Sequence, residues 1–126
     1  MTQSPFFVAV AIITALFGLG FLLVPDAVLS LYGATTDDVG RLTARFFGSA
    51  LIALAIIYFI ARDLAGGAAL TGLLWAGLTI NVIDLVLVFM GTVGDLLNAV
   101  GWASAVLHIL LGAGFAYLIF ARPAPV

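Results

Sequence analysis

Long apolar runs separated by short polar, glycine-containing segments dominate this chain. A helix needs roughly 20 mostly apolar residues to cross the hydrocarbon of a membrane, which is about 30 Å thick. Four segments meet this requirement, at about residues 6–24, 42–61, 68–90 and 97–120. The pattern therefore predicts four membrane-spanning helices, which we number as spans one to four in chain order.

The segments between the spans indicate how the helices are arranged. Spans two and three are joined by Arg62–Gly67, and spans three and four by Gly91–Asp95. Such short connections make successive helices antiparallel neighbours. The longer first connection begins with Pro25–Gly33, which predicts a short helix at the membrane interface, and Thr35 or Thr36 is expected to cap the helix that follows. The predicted fold is an all-α, integral membrane, antiparallel four-helix bundle.

The composition excludes several other classes of protein. Hydrophobic residues make up 65% of the 126 residues and charged residues 8%, against a usual share of about 45–50% and about 25%. This composition therefore excludes an ordinary soluble domain and a disordered chain. It also excludes binding of a nucleic-acid partner, because that would require a basic face. The absence of cysteine excludes disulfides, a thiol nucleophile and a cysteine-ligated metal. We expect one membrane-embedded domain over residues 1–126, in contact with membrane lipid.

Arginine placement suggests an orientation. With four spans both termini lie on one side of the membrane, together with Arg62 and Arg122. Arg41 lies on the other side, as does Arg45 if its side chain reaches the interface. The excess of arginine on the terminal side is at most one residue. Because the side richer in arginine usually faces the cytoplasm, we expect a plasma membrane protein with both termini in the cytoplasm.

Asp84 requires an explanation, because a charge inside the hydrocarbon costs at least about 2.5–3.5 kcal/mol. Arg45 in span two and Asp84 in span three lie roughly 5 Å and 9 Å below the same boundary, so they can form an ion pair between antiparallel neighbours. Arg41, one turn before Arg45, is placed to reach Asp84 or Asp38. The pair either fixes the register of spans two and three, or belongs to a charged, proton-exchanging site, or does not form.

A second group of polar residues lies deeper in spans three and four. Asn81 and Asp84 are three residues apart and share a helix face. In span four, Ser104 and His108 share a face, and His108 lies near the middle of the membrane. Antiparallel packing of the two spans would join these groups in one internal patch. The candidate ligand-binding residues are Arg45, Asn81, Asp84, Ser104 and His108.

His108 has three alternative roles. It can be a neutral core histidine bonded to Asn81, Ser104 or a backbone carbonyl. It can be an acid/base or proton relay, which would make His108 and Asp84 the candidate catalytic residues. It can be a metal or haem ligand, although it is the only histidine in the chain. Since one histidine and one carboxylate are too few for an ordinary metal site, we predict no metal and no cofactor.

Three segments resemble a known group of proteins: LFGLGFLLVPDAVLSLYG at 16–33, RLTARFFGSALIALAIIYFIARD at 41–63 and GWASAVLHILLGAGFAYLIF at 101–120. They resemble the small bacterial four-helix membrane proteins of unknown function near the DoxX-like families. The resemblance implies a four-helix antiparallel bundle and a role as an accessory membrane component. Redox-linked DoxX relatives are associated with thiol or quinone partners, but a chain without cysteine supplies no thiol of its own.

Three functions follow as expectations. The favoured one is a non-enzymatic bundle that binds a lipid-like molecule or a partner subunit through spans two to four. The first alternative is an intramembrane enzyme that acts on a lipophilic substrate through His108 and Asp84. The second is a small oligomeric transport or proton-conducting element with a hydrated path past Asn81, Asp84 and His108. Rows of small residues in the spans predict close helix packing, and they fit contacts within one chain or in a homo-oligomer equally well.

Overall fold

The computed structural model describes residues 3–121, and all regular structure in that part of the chain is helical. Four of the helices there are long and apolar enough to cross a membrane, by length and composition. The four predicted helices and the short helix after the first are thus confirmed. In chain order the elements are α1 (Gln3–Leu23), α2 (Pro25–Leu31), α3 (Asp38–Ala61), α4 (Gly67–Val93) and α5 (Val100–Phe120).

The chain divides into two compact units. The first unit, Thr2–Arg62, contains α1, α2 and α3, and the second unit, Asp63–Val126, contains α4 and α5. Each unit contains one antiparallel pair of long helices, α1 with α3 in the first and α4 with α5 in the second. The single-domain interpretation, and the packing of span two against span three, stay predictions. Arg122, which entered the orientation argument, lies outside the described residues.

The cap of α3 differs from the prediction. Neither Thr35 nor Thr36 caps the helix; Asp37 does so, and its carboxylate accepts a hydrogen bond of 2.7 Å from the backbone N–H of Gly40. Aspartate is as good a cap as threonine, and its charge also interacts favourably with the positive end of the helix dipole. The helix therefore begins at Asp38, slightly later than the threonines suggested.

The connection between α4 and α5 lies further along the chain than predicted. The helix continues through most of the predicted turn, Gly91–Asp95, and ends at Val93. Thr92 is buried there, and its hydroxyl donates a hydrogen bond of 2.8 Å to the carbonyl of Val88 one turn earlier. The hydroxyl of Thr92 is thus satisfied within α4 itself, inside the segment predicted as a turn.

The start of α5, at Val100, also lies further along the chain than the predicted start at about residue 97. Asp95 adopts a positive φ of 58° and reverses the chain, although a glycine precedes it. Asn98 then accepts a hydrogen bond of 2.9 Å from the backbone N–H of Val100, where α5 begins. Short polar side chains tolerate the left-handed conformation and bond to nearby backbone groups, and these two residues therefore replace the predicted glycine turn.

In the first unit, contacts at both ends show that α1 and α3 are antiparallel. At one end the side-chain amide of Gln3 donates a hydrogen bond of 3.2 Å to the carbonyl of Ala61. At the other end the rings of Phe21 and Phe47 meet edge to face, with centroids 5.2 Å apart. The beginning of α1 therefore lies beside the end of α3.

The backbones of α1 and α3 approach closely at Gly48. A Cβ atom on Gly48 would lie 2.6 Å from the backbone nitrogen of Leu22 and 2.7 Å from the carbonyl oxygen of Gly18. On the facing helix, a Cβ on Gly18 would lie 2.9 Å from the side chain of Ile52. Both glycines are thus required by the packing of this unit, as expected for helices that associate through small residues.

An exposed ion cluster joins α2 to the start of α3. Arg41 Nε donates to an Asp26 carboxylate oxygen at 2.7 Å, and another guanidinium nitrogen donates to Asp38. The predicted contact of Arg41 with Asp38 is confirmed, whereas the contact with Asp26 was not anticipated. Since all three side chains are in contact with solvent, water screens both pairs and each contributes little to stability.

In the second unit, aromatic contacts show that α4 and α5 are antiparallel. Trp75 meets Phe120 edge to face, with ring centroids 5.7 Å apart. Towards the other end, Phe89 meets Trp102 in the same way, also at 5.7 Å. The antiparallel pairing predicted for spans three and four is therefore confirmed, and it brings the middle of α4 beside the middle of α5.

Candidate functional site

Asn81 and His108 join the middles of α4 and α5. Asn81 is buried, with 6% of its surface exposed, and its Oδ1 lies 3.1 Å from Nδ1 of His108. Antiparallel pairing places residue 81 opposite residues 108–112, which is why the two side chains meet. The sequence placed Asn81 and His108 in one patch, and the structure brings these two together.

The orientation of the Asn81 amide is set by its own helix. Its Nδ2 donates a hydrogen bond of 2.8 Å to the carbonyl oxygen of Gly77, four residues earlier. The amide oxygen is thereby turned towards α5 and His108. One side chain thus satisfies a backbone carbonyl of α4 and holds the imidazole of α5 in place.

Asp84 lies one turn beyond Asn81 and is half-buried. Its carboxyl group forms no ion pair within 4.0 Å with the imidazole of His108, and the two groups interact only through longer-range electrostatics. Among the described residues of the second unit, no side chain or backbone N–H hydrogen-bonds to this carboxyl group. The cluster therefore contains an acidic group whose hydrogen-bonding capacity is not used within its own unit.

Ser104 is the fourth predicted member of the patch. It is buried one turn before His108 on α5 and has an interaction of its own. Two close contacts between the helices frame the cluster. At one end, a Cβ on Gly101 would collide with the side chain of Thr92, and at the other, a Cβ on Gly77 would collide with the ring of Phe115.

Sequence reasoning did not identify these framing contacts as pairs. The sequence indicates rows of small residues in the spans, but it does not identify Thr92 as the contact of Gly101 or Phe115 as the contact of Gly77. The signal was present in the antiparallel register, because once residue 81 is paired with residue 108, positions 92 and 77 fall opposite positions near 101 and 115. The register of α4 against α5 could be derived only once the end of α4 at Val93 was known.

Arg45 is the remaining predicted site residue. It is exposed and lies in α3, in the first unit, whereas Asp84 belongs to the second unit. The ion pair between Arg45 and Asp84 stays a prediction. Within residues 3–121 there is no group of three or more His, Cys, Asp or Glu side chains that could hold a metal ion.

The cluster can bind polar groups and can exchange protons. A neutral imidazole has one nitrogen that donates and one that accepts, and a carboxyl group beside it can stabilise the imidazolium. These properties suit recognition of a polar ligand group as well as acid/base chemistry. The intramembrane-enzyme and proton-conducting alternatives therefore stay predictions.

Comparison of the chain with protein-family models, with curated proteins and with solved structures finds no match. The resemblance to DoxX-like proteins stays a prediction, and the function has to be argued from the residues themselves.

Proposed function

We propose that α1, α3, α4 and α5 cross the plasma membrane as an antiparallel four-helix bundle with both termini in the cytoplasm. The shortest of them, α1 and α5, have 21 residues each, or about 32 Å, which matches the hydrocarbon thickness. Their large exposed side chains are suited to lipid contact, for example Leu16, Phe46, Ile60 and Leu110. On this proposal α2 lies at the outer membrane interface.

Single-cysteine labelling tests this topology, because the chain has no cysteine of its own. Thr35→Cys, Ala65→Cys and Leu96→Cys place one thiol in each connection between the spanning helices. We expect a membrane-impermeant maleimide to label positions 35 and 96 from outside intact cells, and position 65 only in inverted vesicles. Labelling of all three from the same side, or release of the protein from membranes by alkaline carbonate, would contradict the proposal.

Within the membrane, the cluster of Asn81, Asp84, Ser104 and His108 binds the polar group of a lipophilic molecule without converting it chemically. The observation that carries this proposal is the half-buried Asp84 carboxyl group, which has no hydrogen-bond partner in its own unit and lies one helical turn from Asn81, which is bonded to His108. A polar group of this kind is costly in hydrocarbon. A ligand that hydrogen-bonds to it would offset that cost, so the free cluster is suited to binding.

The position of the cluster favours a lipophilic ligand. Residue 84 lies about 6 Å from the midpoint of α4, and residue 108 lies about 3 Å from the midpoint of α5. Both groups are therefore deep within the helices, where a water-soluble ligand would not reach them from either end without a hydrated path. A molecule dissolved in the bilayer reaches this depth directly, with its apolar part remaining among the acyl chains.

Co-purification tests the binding. The wild type, Asp84→Asn and the matched control Asp95→Asn, in the connection between α4 and α5, would be purified in mild detergent with bound lipids retained. Extraction and mass spectrometry then measure each lipophilic molecule relative to protein. We expect stoichiometric retention of one lipophile by the wild type and by Asp95→Asn. Asp84→Asn should retain about tenfold less, since hydrogen bonds to charged groups contribute about 1.5–3 kcal/mol.

Two outcomes would contradict ligand binding. Equal retention by all three proteins would mean that the lipophile is bound elsewhere. A stoichiometric protein in place of a lipophile, lost in Asp84→Asn and kept in Asp95→Asn, would show instead that the cluster binds a partner subunit.

A further inference from the structure

The Asn81 amide determines which ring nitrogen of His108 carries the hydrogen. Because Nδ2 of Asn81 already donates to Gly77, the atom that faces His108 Nδ1 is the amide oxygen. An amide oxygen only accepts hydrogen bonds, so Nδ1 is the donor. In a neutral imidazole the other nitrogen then has no hydrogen. Nε2 of His108 is left as a hydrogen-bond acceptor, without a partner among the described residues of its unit.

The groups near His108 also offer hydrogen-bond acceptors. The carboxyl group of Asp84 has an accepting oxygen in either protonation state and is purely an acceptor when ionised. One amide hydrogen of Asn81 bonds to its own helix, and Ser104 has an interaction of its own. When Asp84 is ionised, the cluster therefore offers hydrogen-bond acceptors at His108 Nε2 and at the Asp84 carboxylate.

We infer that the ligand group recognised by this cluster is a hydrogen-bond donor, namely a hydroxyl or a protonated amine on a lipophilic molecule, bound by Nε2 of His108 within electrostatic range of the ionised Asp84 carboxyl group. The inference rests on the proposed function and specifies its ligand class. An ether, ester or ketone oxygen would face accepting atoms and leave them unpaired. Such a ligand should bind about tenfold more weakly than a donor of the same size.

Nuclear magnetic resonance of the histidine tests the first step directly. His108 is the only histidine, so a tag without histidine gives a single pair of ring ¹⁵N signals in bilayers. At about pH 8, above the ordinary imidazole pKa of about 6.5, we expect hydrogen on Nδ1 and none on Nε2. Asn81→Leu should give a mixture of both tautomers, whereas the control Thr71→Val, which also removes a side-chain hydrogen bond to a carbonyl four residues earlier in α4, should keep the wild-type tautomer.

Three probes of equal chain length test the second step: dodecanol, dodecylamine and dodecyl methyl ether, each added to the bilayer at the same mole fraction. We expect the alcohol or the amine to shift the Nε2 signal at a concentration about tenfold below that required for the ether. A response to the alcohol alone identifies a hydroxyl ligand, and a response to the amine alone identifies a cationic one. Asp84→Leu should weaken the response to the amine more than the response to the alcohol.

The results separate this inference from the proposed function. Hydrogen on Nε2 in the wild type, or an equal response to ether and alcohol, would overturn the inference. If a lipophile co-purifies through Asp84 but has only accepting polar atoms, the proposed function stands and the donor inference is wrong. If donors shift Nε2 selectively but no molecule co-purifies, the donor chemistry of the cluster stands and the proposed function fails.

Discussion

The two units are both antiparallel helix pairs, yet different interactions join their helices. In the first unit the backbones of α1 and α3 touch at Gly18 and Gly48, and the ion cluster of Arg41 lies at one end. In the second unit a hydrogen bond between Asn81 and His108 joins the helices at mid-depth. The interhelical hydrogen bond of the first pair, from Gln3 to the carbonyl of Ala61, lies at one end of the helices, so the polar cluster of the second pair differs from it in depth. This difference is the argument for assigning function to the second unit.

Gly48→Ala should have the largest effect on stability. The new Cβ would meet backbone atoms of Leu22 and Gly18 at 2.6 and 2.7 Å, and backbone cannot move aside as a flexible side chain can. We expect a loss of about 3 kcal/mol, at the upper end of the range for overpacking. Hydrogen–deuterium exchange in detergent should show faster exchange in α1 and α3, with little change in α4 and α5.

Gly72→Ala is the matched control for this substitution. A Cβ at Gly72 meets nothing within 4 Å, and alanine in a helix interior is favoured over glycine by roughly 0.5–1 kcal/mol. The control should therefore leave exchange unchanged or slow it. Equal acceleration by both variants would show that Gly48 matters only as a helix residue, and that the backbone contact in the first unit does not determine its stability.

Gly77→Ala tests the packing of the second unit and should have the next largest effect. Its Cβ would collide with the fully buried ring of Phe115. A ring can rotate or shift slightly, so we expect about 2 kcal/mol, less than for Gly48. The double variant with Phe115→Leu should lose less stability than the sum of the losses in the two single variants. Strict additivity would mean that the glycine and the ring do not contact one another.

The helices of this fold could be predicted from the sequence to within about four residues at each end. The four apolar runs predict α1, α3, α4 and α5, because an apolar segment of this length is compatible with few structures other than a helix. The ends were less accurate, since several polar residues compete to cap each helix. Asp37 was preferred to the neighbouring threonines as the cap of α3, and Asp95 was preferred to glycine for the left-handed turn.

The Asn81–His108 hydrogen bond is one of the alternatives that the sequence offers for His108, but the sequence does not indicate which atom of the amide takes part. Helical spacing alone placed Asn81 with Asp84 and Ser104 with His108, and antiparallel pairing joined the two sets. Which atom of Asn81 faces His108 depends on the hydrogen bond of its amide to the carbonyl of Gly77. The orientation of this amide depends on local backbone geometry, which cannot be derived from residue types and their spacing.

Breaking the Asn81–His108 hydrogen bond should have a smaller effect than the glycine substitutions. Hydrogen bonds between membrane helices contribute about 0.6 kcal/mol on average and up to about 1.7. A double-mutant cycle of Asn81→Leu and His108→Leu should therefore give a coupling of about 1 kcal/mol. The two tryptophans, Trp75 and Trp102, both lie in the second unit, so their fluorescence during denaturation reports on this unit.

The size of this coupling sharpens the comparison of the two units. A value near 1 kcal/mol, together with loss of ligand binding, would show that the cluster contributes more to recognition than to stability. A coupling above about 3 kcal/mol would show instead that the second unit depends on its polar contact as the first depends on Gly48. The cluster would then be explained by folding alone.

The smallest effect is expected from the ion cluster at the end of the first unit. Asp26→Asn removes one carboxylate partner of Arg41, while Asp38 still pairs with the same guanidinium. Because these groups are exposed, we expect only a small loss of stability at physiological salt. The loss should shrink further at about 1 M salt, where the screening length falls to about 3 Å. Hydrogen exchange of α2 measures it, with Asp63→Asn, in the connection after α3, as control. A loss of several kcal/mol that salt does not reduce would mean that this end of the first unit, and not Gly48 alone, holds α2 and α3 together.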